Sequence, residues 1–488
     1  MGKKVSKRST SYYAVIRTLL SGERVVQWVI LGTTFFLAAN KLIKTNDDIA
    51  LFVTLLGTAV AFGVGNAVWY RPGGSQIIKT LPSFNTVYLL FLPFMLSLLF
   101  NRDLVLVNCA MALNISLIPV FIRLPIQFAI LLFNYGYHDD ALRNLVALFI
   151  NSFACFMLEH ISELKSLDET ECNLFSILLT NVIFLIHSDS RPFLILKTCM
   201  LAFLAGVLVN YSVLTLCRPI HPMFRTLTLL TMFAIVYTGF ILKFLHIDKV
   251  NNGNALIWLL RFIWQSKTRM TILSCWIASL FLLFPNVFFF KSKMSLNMSR
   301  KIWHFLLLPL VVPSMLIEPE FTSIALAGIM TTFFVVEYFR YMELAPLGTF
   351  INSQFYHFAD YRDLKGPLIV SYIYLMLGVS FPLLVNQSLV GIISLGVGDS
   401  LASIVGKNYG RNRWPGTRKT IEGTVAFVFS TAMFALVAQR YFGAFKGLSD
   451  GRIILACVLS GVLEGNSTLN DNLLIPAFMM IIMELFKY

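Results

Sequence analysis

Charge is scarce in this chain. Asp, Glu, Lys and Arg make up 13% of its 488 residues, against about 25% in soluble globular chains. So little polar surface cannot cover a water-soluble body of this size, which excludes a soluble enzyme. Apolar types reach 57%, which excludes a disordered chain. Cysteine is sparse as well: the seven, at 109, 155, 172, 199, 217, 275 and 457, are odd in number and form no C-x-x-C pair. A disulfide scaffold is excluded, and the cysteines read as small core residues. No internal repeat is visible. A Walker A loop is also missing: Leu401 and Asn408 stand where Gly-x-x-x-x-Gly-Lys-Ser/Thr would need glycine and a hydroxyl.

Long apolar runs fill the space that charge leaves. They fall near 25–39, 49–69, 86–100, 104–122, 145–158, 172–187, 193–217, 224–247 and 270–290, with short runs at 124–133 and 253–264. A span needs about 20 apolar residues. The expected fold is all-α and polytopic, with about 14–16 transmembrane helices. Lys and Arg number 39 against 25 acids, a net charge of +14. In a membrane protein this excess sets orientation, and a nucleic-acid partner is not implied. Lys3, Lys4, Lys7, Arg8, Arg17 and Arg24 face one acid, Glu23, near the N-terminus, which reads as a cytoplasmic flank.

Two regions are expected: 1–290, a helical array of unclear role, and 291–488, a membrane-embedded catalytic region. In the second, Lys291, Lys293, Arg300 and Lys301 lie in a segment without acid, which reads as cytoplasmic. Spans at 302–317, 321–339, 367–385, 388–405, 421–439, 452–463 and 473–486 then bring 340–366, 406–420 and 464–472 to the same side. Most of the polar sequence of this half converges on one face.

Asp399 lies in Gly396-Val-Gly398-Asp399-Ser400, inside an apolar run. A carboxylate at membrane depth costs on the order of 3 kcal/mol and marks a functional site by default. The alternative is a packing Asp neutralised by a nearby Arg or Lys. The segment that follows is dense in polar groups. Gly406, Gly410, Gly416 and Gly423 allow backbone N–H groups to turn toward an anion. Lys407, Arg411, Arg413, Arg418 and Lys419 supply charge, and Thr417 and Thr420 supply hydroxyls. Trp414 and Tyr409 offer rings for stacking, and Pro415 and Glu422 complete the segment. It runs into a helix whose N-terminus favours phosphate. Arg300 and Lys301 can hold phosphate or anchor a span. Glu464 and Asp471, in a polar island between apolar runs, can supply carboxylates to Mg²⁺ or belong to an ordinary loop. Glu337 and Arg340 read as a helix-end ion pair.

Over about 290–488 these motifs resemble the dolichol kinase family. The matching pieces are Arg300-Lys301-x-x-His304, Asp360-x-x-Asp363 with Gly366-Pro367, and Gly396-x-Gly398-Asp399. After them come Trp414-Pro-Gly-Thr-x-Lys-Thr-x-Glu-Gly-Thr424 and Glu464 with Asp471-Asn-Leu-Leu-x-Pro476. The resemblance implies transfer of the CTP γ-phosphate to the terminal hydroxyl of dolichol, with Mg²⁺ or another divalent cation. It implies a multi-pass protein of the endoplasmic reticulum; the charge pattern turns the site to the cytosol, and the sequence identifies no obligate protein partner. The product, dolichyl phosphate, serves protein glycosylation and GPI anchors. Asp399, Arg300 and Lys301 are the expected catalytic residues. Residues 406–423 as named above are expected to hold CTP, and Asp399, Glu464 and Asp471 the metal. The readings that compete are a CTP-dependent kinase of phytol or diacylglycerol, and a transporter. A transporter usually shows repeats and a mid-membrane site; here no repeat shows and the polar groups gather on one face.

Overall fold

A computed structural model describes residues 21–69, 83–135, 140–216, 221–247, 254–290, 296–343, 346–355, 359 and 362–488. The basic flank 3–17, Lys291, Lys293, Cys217 and Asp360 lie outside them. The described residues are helical, with a single isolated β-bridge between Arg413 and Thr420. In chain order the helices are α1 Val25–Leu42, α2 Asn46–Trp69, α3 Asn85–Phe100, α4 Val105–Ala112, α5 Val120–Tyr135, α6 Asp140–Ser162 and α7 Glu169–Thr180. Then come α8 Arg191–Leu216, α9 Pro222–Phe244, α10 Ala255–Trp264, α11 Lys267–Phe290, α12 Leu296–Ile317, α13 Pro319–Tyr341, α14 Leu347–Phe355 and α15 Ser371–Asn386. A helical turn and a π-helix, Ile393–Asp399, lead into α16 Ser400–Tyr409, followed by α17 Ile421–Phe442, α18 Asp450–Asn466 and α19 Asp471–Leu485.

Nine segments among the described residues are long and apolar enough to cross a membrane, among them Gly22–Leu42, Arg300–Ile317, Val390–Tyr409 and Ile421–Phe442. Four shorter apolar helices accompany them, including Asn85–Phe100 and Ser371–Asn386. Large side chains such as Phe224, Ile235, Phe281 and Phe429 are more than half exposed. A water-soluble surface does not carry such a density; a bilayer solvates it. The protein is therefore an all-α, multi-pass membrane protein. The apolar run 104–122 is not one span. It breaks after the 3₁₀ turn Leu113–Ile115, because Pro119 disfavours helix in the residue before it, and a new helix starts at Val120. Of the described cysteines, five are buried and Cys275 is exposed.

The chain divides into two compact units, and neither has an edge at residue 290. The first comprises Met1–Ile186, Leu401–Leu436 and Phe445–Tyr488. Its core is α19, buried almost throughout from Leu474 to Leu485 and packed on α18, α3 and α1. A helix apolar on all sides belongs inside a bundle. The second unit comprises His187–Ser400 and Val437–Ala444. In it α8 packs on α9 and α13 around an aromatic cluster of Phe203, Phe233, Tyr338 and Phe339. Buried Glu337 accepts from Arg340 Nε at 2.7 Å, Tyr372 Oη at 2.5 Å and the Ile369 N–H at 2.8 Å. The expected helix-end pair thus also ties the Gly366-Pro367 segment to α13.

Candidate functional site

In the second unit, Asp399 ends the π-helix and faces α12. Gly396 permits the approach: a Cβ there would stand 3.1 Å from Leu308 Cδ1 and 3.3 Å from the His304 carbonyl. Lys301 and His304 are neighbours on α12, three residues apart. The Lys301 ammonium donates to Asp399 Oδ2, and both side chains are nearly buried. His304 Nδ1 lies 3.3 Å from Asp399 Oδ2 and 3.3 Å from the Leu395 carbonyl. Both neighbours are acceptors, so the proton of the imidazole sits on Nδ1. The carboxylate is held by one cation and one N–H, and π-helical turns of this kind recur at functional sites. Arg300 beside Lys301 is half-buried. Asp363 accepts from the Val370 N–H at 3.0 Å and from Ser371 Oγ at 2.5 Å, holding the start of α15.

The second cluster belongs to the first unit. After α16 the chain forms a hairpin. Asn412 O accepts from Ile421 N–H, Lys419 O from Trp414 N–H, and Trp414 O from Thr417 N–H at 3.3 Å. Gly416 has φ +70°, the value a type II turn demands at its third residue after proline at the second. Trp414-Pro-Gly-Thr417 is that turn. Gly406, Gly410 and Gly423 owe their place to packing: Cβ atoms there would lie 2.8, 2.6 and 3.1 Å from the nearest atoms of Thr420. Glu422 folds back and accepts from Asn412 N–H at 3.1 Å and its side-chain amide at 3.0 Å.

The hairpin is fastened to the break between α18 and α19. The last carbonyls of a helix lack intrahelical donors. Here three side chains supply them: Lys419 Nζ to Glu464 O at 2.7 Å, Thr417 Oγ1 to Gly465 O at 3.0 Å, and Gln27 Nε2 to Asn466 O at 2.7 Å. Trp414 Nε1 donates to Thr424 Oγ1 at 2.9 Å over Gly465, where a Cβ would fall 2.4 Å from Nε1. Lys419 also pairs with Asp471 Oδ1 at 2.5 Å and Glu464 Oε1 at 2.9 Å, so three acceptors surround its three N–H groups. Burial acts to lower its pKa, but the Asp471 and Glu464 carboxylates outweigh burial and hold it above the ordinary lysine range. The stabilisation from this shift is therefore fully present below the usual lysine pKa and fades only as pH rises through the raised value. The cation at the C-terminus of α18 and Asp471 at the N-terminus of α19 both suit the helix dipoles. Lys407, Tyr409, Arg411, Arg413 and Arg418 are exposed.

The geometry joins Lys301 and Asp399 in one cluster, and the hairpin, Glu464 and Asp471 in the other. It adds residues that the motifs did not single out. Gln27, with Tyr88, whose Oη donates to Gln27 Oε1 at 2.5 Å, supports Asn466; Thr424, which closes the Trp414 motif, anchors Trp414. Gln27 had one visible signal, an isolated carboxamide in an apolar run; Tyr88 had none. Among the described residues no three His, Cys, Asp or Glu side chains form a metal-holding group by themselves. Mg²⁺ usually takes one or two carboxylates and completes its shell with water and substrate phosphates. Glu464 and Asp471, which already share one cation, fit that donor set.

The class defined by these features is a helical, multi-pass membrane protein in which the carboxylates of Glu464 and Asp471 hold a cationic hairpin. Residues 4–187 match the family described as the dolichol kinase N-terminal domain. The chain is 41% identical over 476 residues to dolichol kinase of Saccharomyces cerevisiae, covering 93% of this chain and 88% of that one. It is 31% identical over 278 residues to dolichol kinase of Homo sapiens, 52% of this chain and 51% of the relative. With dolichol kinase sec59 of Schizosaccharomyces pombe it shares 30% over 300 residues, 57% of this chain and 59% of the relative. No solved structure matches. The chain belongs to the dolichol kinase family.

Proposed function

We propose that the protein phosphorylates dolichol, transferring the γ-phosphate of CTP to its terminal hydroxyl on the cytosolic face of the endoplasmic reticulum membrane. Kinship over nearly the whole chain to the dolichol kinase of Saccharomyces cerevisiae carries the acceptor and reaction class. CTP as donor and the membrane's identity rest on the resemblance of the motifs. The supporting geometry is the hairpin fastened to Glu464 and Asp471.

Phosphoryl transfer asks a protein mainly for positioning and charge neutralisation. The exposed Lys407, Arg411, Arg413 and Arg418 hold the triphosphate, with Arg providing bidentate contacts. Lys419, already surrounded by acceptors, fixes the loop. Glu464 and Asp471 are the residues that would hold Mg²⁺, which when bound would neutralise phosphate charge. Asp399, oriented by Lys301 and His304, serves either as a metal ligand in its own right or as acceptor of the hydroxyl proton. The isoprenoid remains in lipid, and only the hydroxyl must reach the interface. Purified protein given labelled CTP and a panel of dolichol, shorter polyprenols, phytol and diacylglycerol is expected to label dolichol best. Preferred labelling of phytol or diacylglycerol overturns the acceptor. CTP bound without turnover on any alcohol favours the transporter.

A further inference from the structure

We infer that Gln27 and Tyr88, on the N-terminal helices α1 and α3, are positioning residues for the nucleotide site: they fix the C-terminal end of α18, and through it Glu464, Asp471 and the hairpin. This rests on the reading of that hairpin as the nucleotide loop. Gln27 and Tyr88 are both 0% exposed, and a buried polar chain is stable only when every member is satisfied. Tyr88 Oη donates to Gln27 Oε1 at 2.5 Å, which leaves the Gln27 amide N–H₂ facing the Asn466 carbonyl at 2.7 Å. Asn466 lies two residues from Glu464 and one from Gly465, whose carbonyls are the anchors of Lys419 and Thr417. A second link runs beside it: Thr468 Oγ1 donates to Asn85 Oδ1 at 3.0 Å. The far end of α19 is held too, Lys41 Nζ donating to Leu485 O at 2.7 Å and Arg452 Nη1 to Phe486 O at 2.6 Å. Helix α1 thus fastens the break before α19 through Gln27 and the opposite end of α19 through Lys41.

Three changes in the full-length protein test this: Gln27→Met, Tyr88→Phe and the double change. For each, KM for the nucleotide donor that the wild type uses, kcat, KM for dolichol and thermal unfolding are measured in one detergent. Gln27→Met is expected to raise KM for the nucleotide about tenfold, the equivalent of one lost hydrogen bond of about 1.4 kcal/mol, with KM for dolichol unchanged. Tyr88→Phe, which keeps the bond to Asn466 but frees the amide to turn, is expected to raise it about two- to threefold. In the double variant the Tyr88–Gln27 pair becomes apolar, which removes the unpaired phenol that Gln27→Met alone leaves, while the Asn466 carbonyl still lacks its donor. Its unfolding is expected to return toward wild type while KM for the nucleotide stays raised. If KM for the nucleotide stays at wild type in Gln27→Met, or recovers together with stability in the double variant, the two residues only pack and the inference falls. A wild type that uses ATP in preference to CTP overturns the donor reading alone, because the same KM comparison with ATP still decides the positioning role.

Discussion

Replacing Asp399 removes two things at once, a candidate reacting group and the counter-charge of Lys301. Breaking a buried ion pair from one side costs about 3–5 kcal/mol, whereas replacing both partners is often neutral. Asp399→Asn is therefore expected to lower the unfolding temperature and abolish transfer. Asp399→Asn combined with Lys301→Met is expected to recover the unfolding temperature without recovering transfer. Activity per folded molecule in detergent reads the difference, and wild-type turnover in the double variant would make both residues packing groups. Asp399 was legible in the sequence because a carboxylate in an apolar run is expensive. Lys301 and His304 were legible as part of a motif, but their contact with Asp399 spans about a hundred residues and needed the fold. Gln27 showed only as an isolated amide in an apolar run and Tyr88 not at all, since a single amide or phenol in an apolar helix gives no sign of which partner it satisfies.

A hairpin is held where its residues bond to fixed neighbours, as Asn412, Trp414, Thr417 and Lys419 do in the segment 410–421. The sequence showed the Pro-Gly turn and the charges, but its glycines read equally as an anion cradle. Three of the four in fact admit close packing against Thr420, and the fourth supplies the positive φ of the turn. Spacing alone cannot separate these uses, because both demand a missing Cβ. Gly465 offers the sharpest test at this scale. A methyl there meets Trp414 Nε1 at 2.4 Å and Thr424 Oγ1 at 2.6 Å, so Gly465→Ala must displace the Trp414 anchor. It is expected to weaken nucleotide use at least tenfold. Gly451→Ala on the same helix, with nothing within 4 Å, is expected to leave kcat/KM within about twofold, alanine being the better helix former. Equal effects of the two changes would detach Trp414 from the site.

The molecule as a whole joins what the sequence separated. The all-helical, multi-pass character was legible from hydropathy, because a bilayer demands long apolar helices; the number was not, since about 14–16 spans were expected and nine segments among the described residues are long enough to cross, with four shorter apolar helices beside them. The expected boundary at 290 followed the motifs, which lie in the second part. The compact unit instead unites Met1–Ile186 with Leu401–Leu436 and Phe445–Tyr488, and hydropathy carries no information about which spans touch. Helix association in lipid gains little from apolar burial itself, since lipid is as apolar as leucine. What α19 and the break before it would lose without α1 and α3 is close packing and the polar contacts at Asn466, Thr468 and Leu485. The fragment 291–488 expressed alone is therefore expected to insert into membranes yet show no transfer, and to be cut readily by protease between 406 and 420 or 464 and 472. Co-expressed with 1–290, it is expected to co-purify, become protected at those segments and recover a measurable share of activity. The assay is lipid phosphorylation by the purified pair against each fragment alone. Full activity of 291–488 by itself would show that the nucleotide loop needs no support from the N-terminal helices, and would leave them a role outside the reaction.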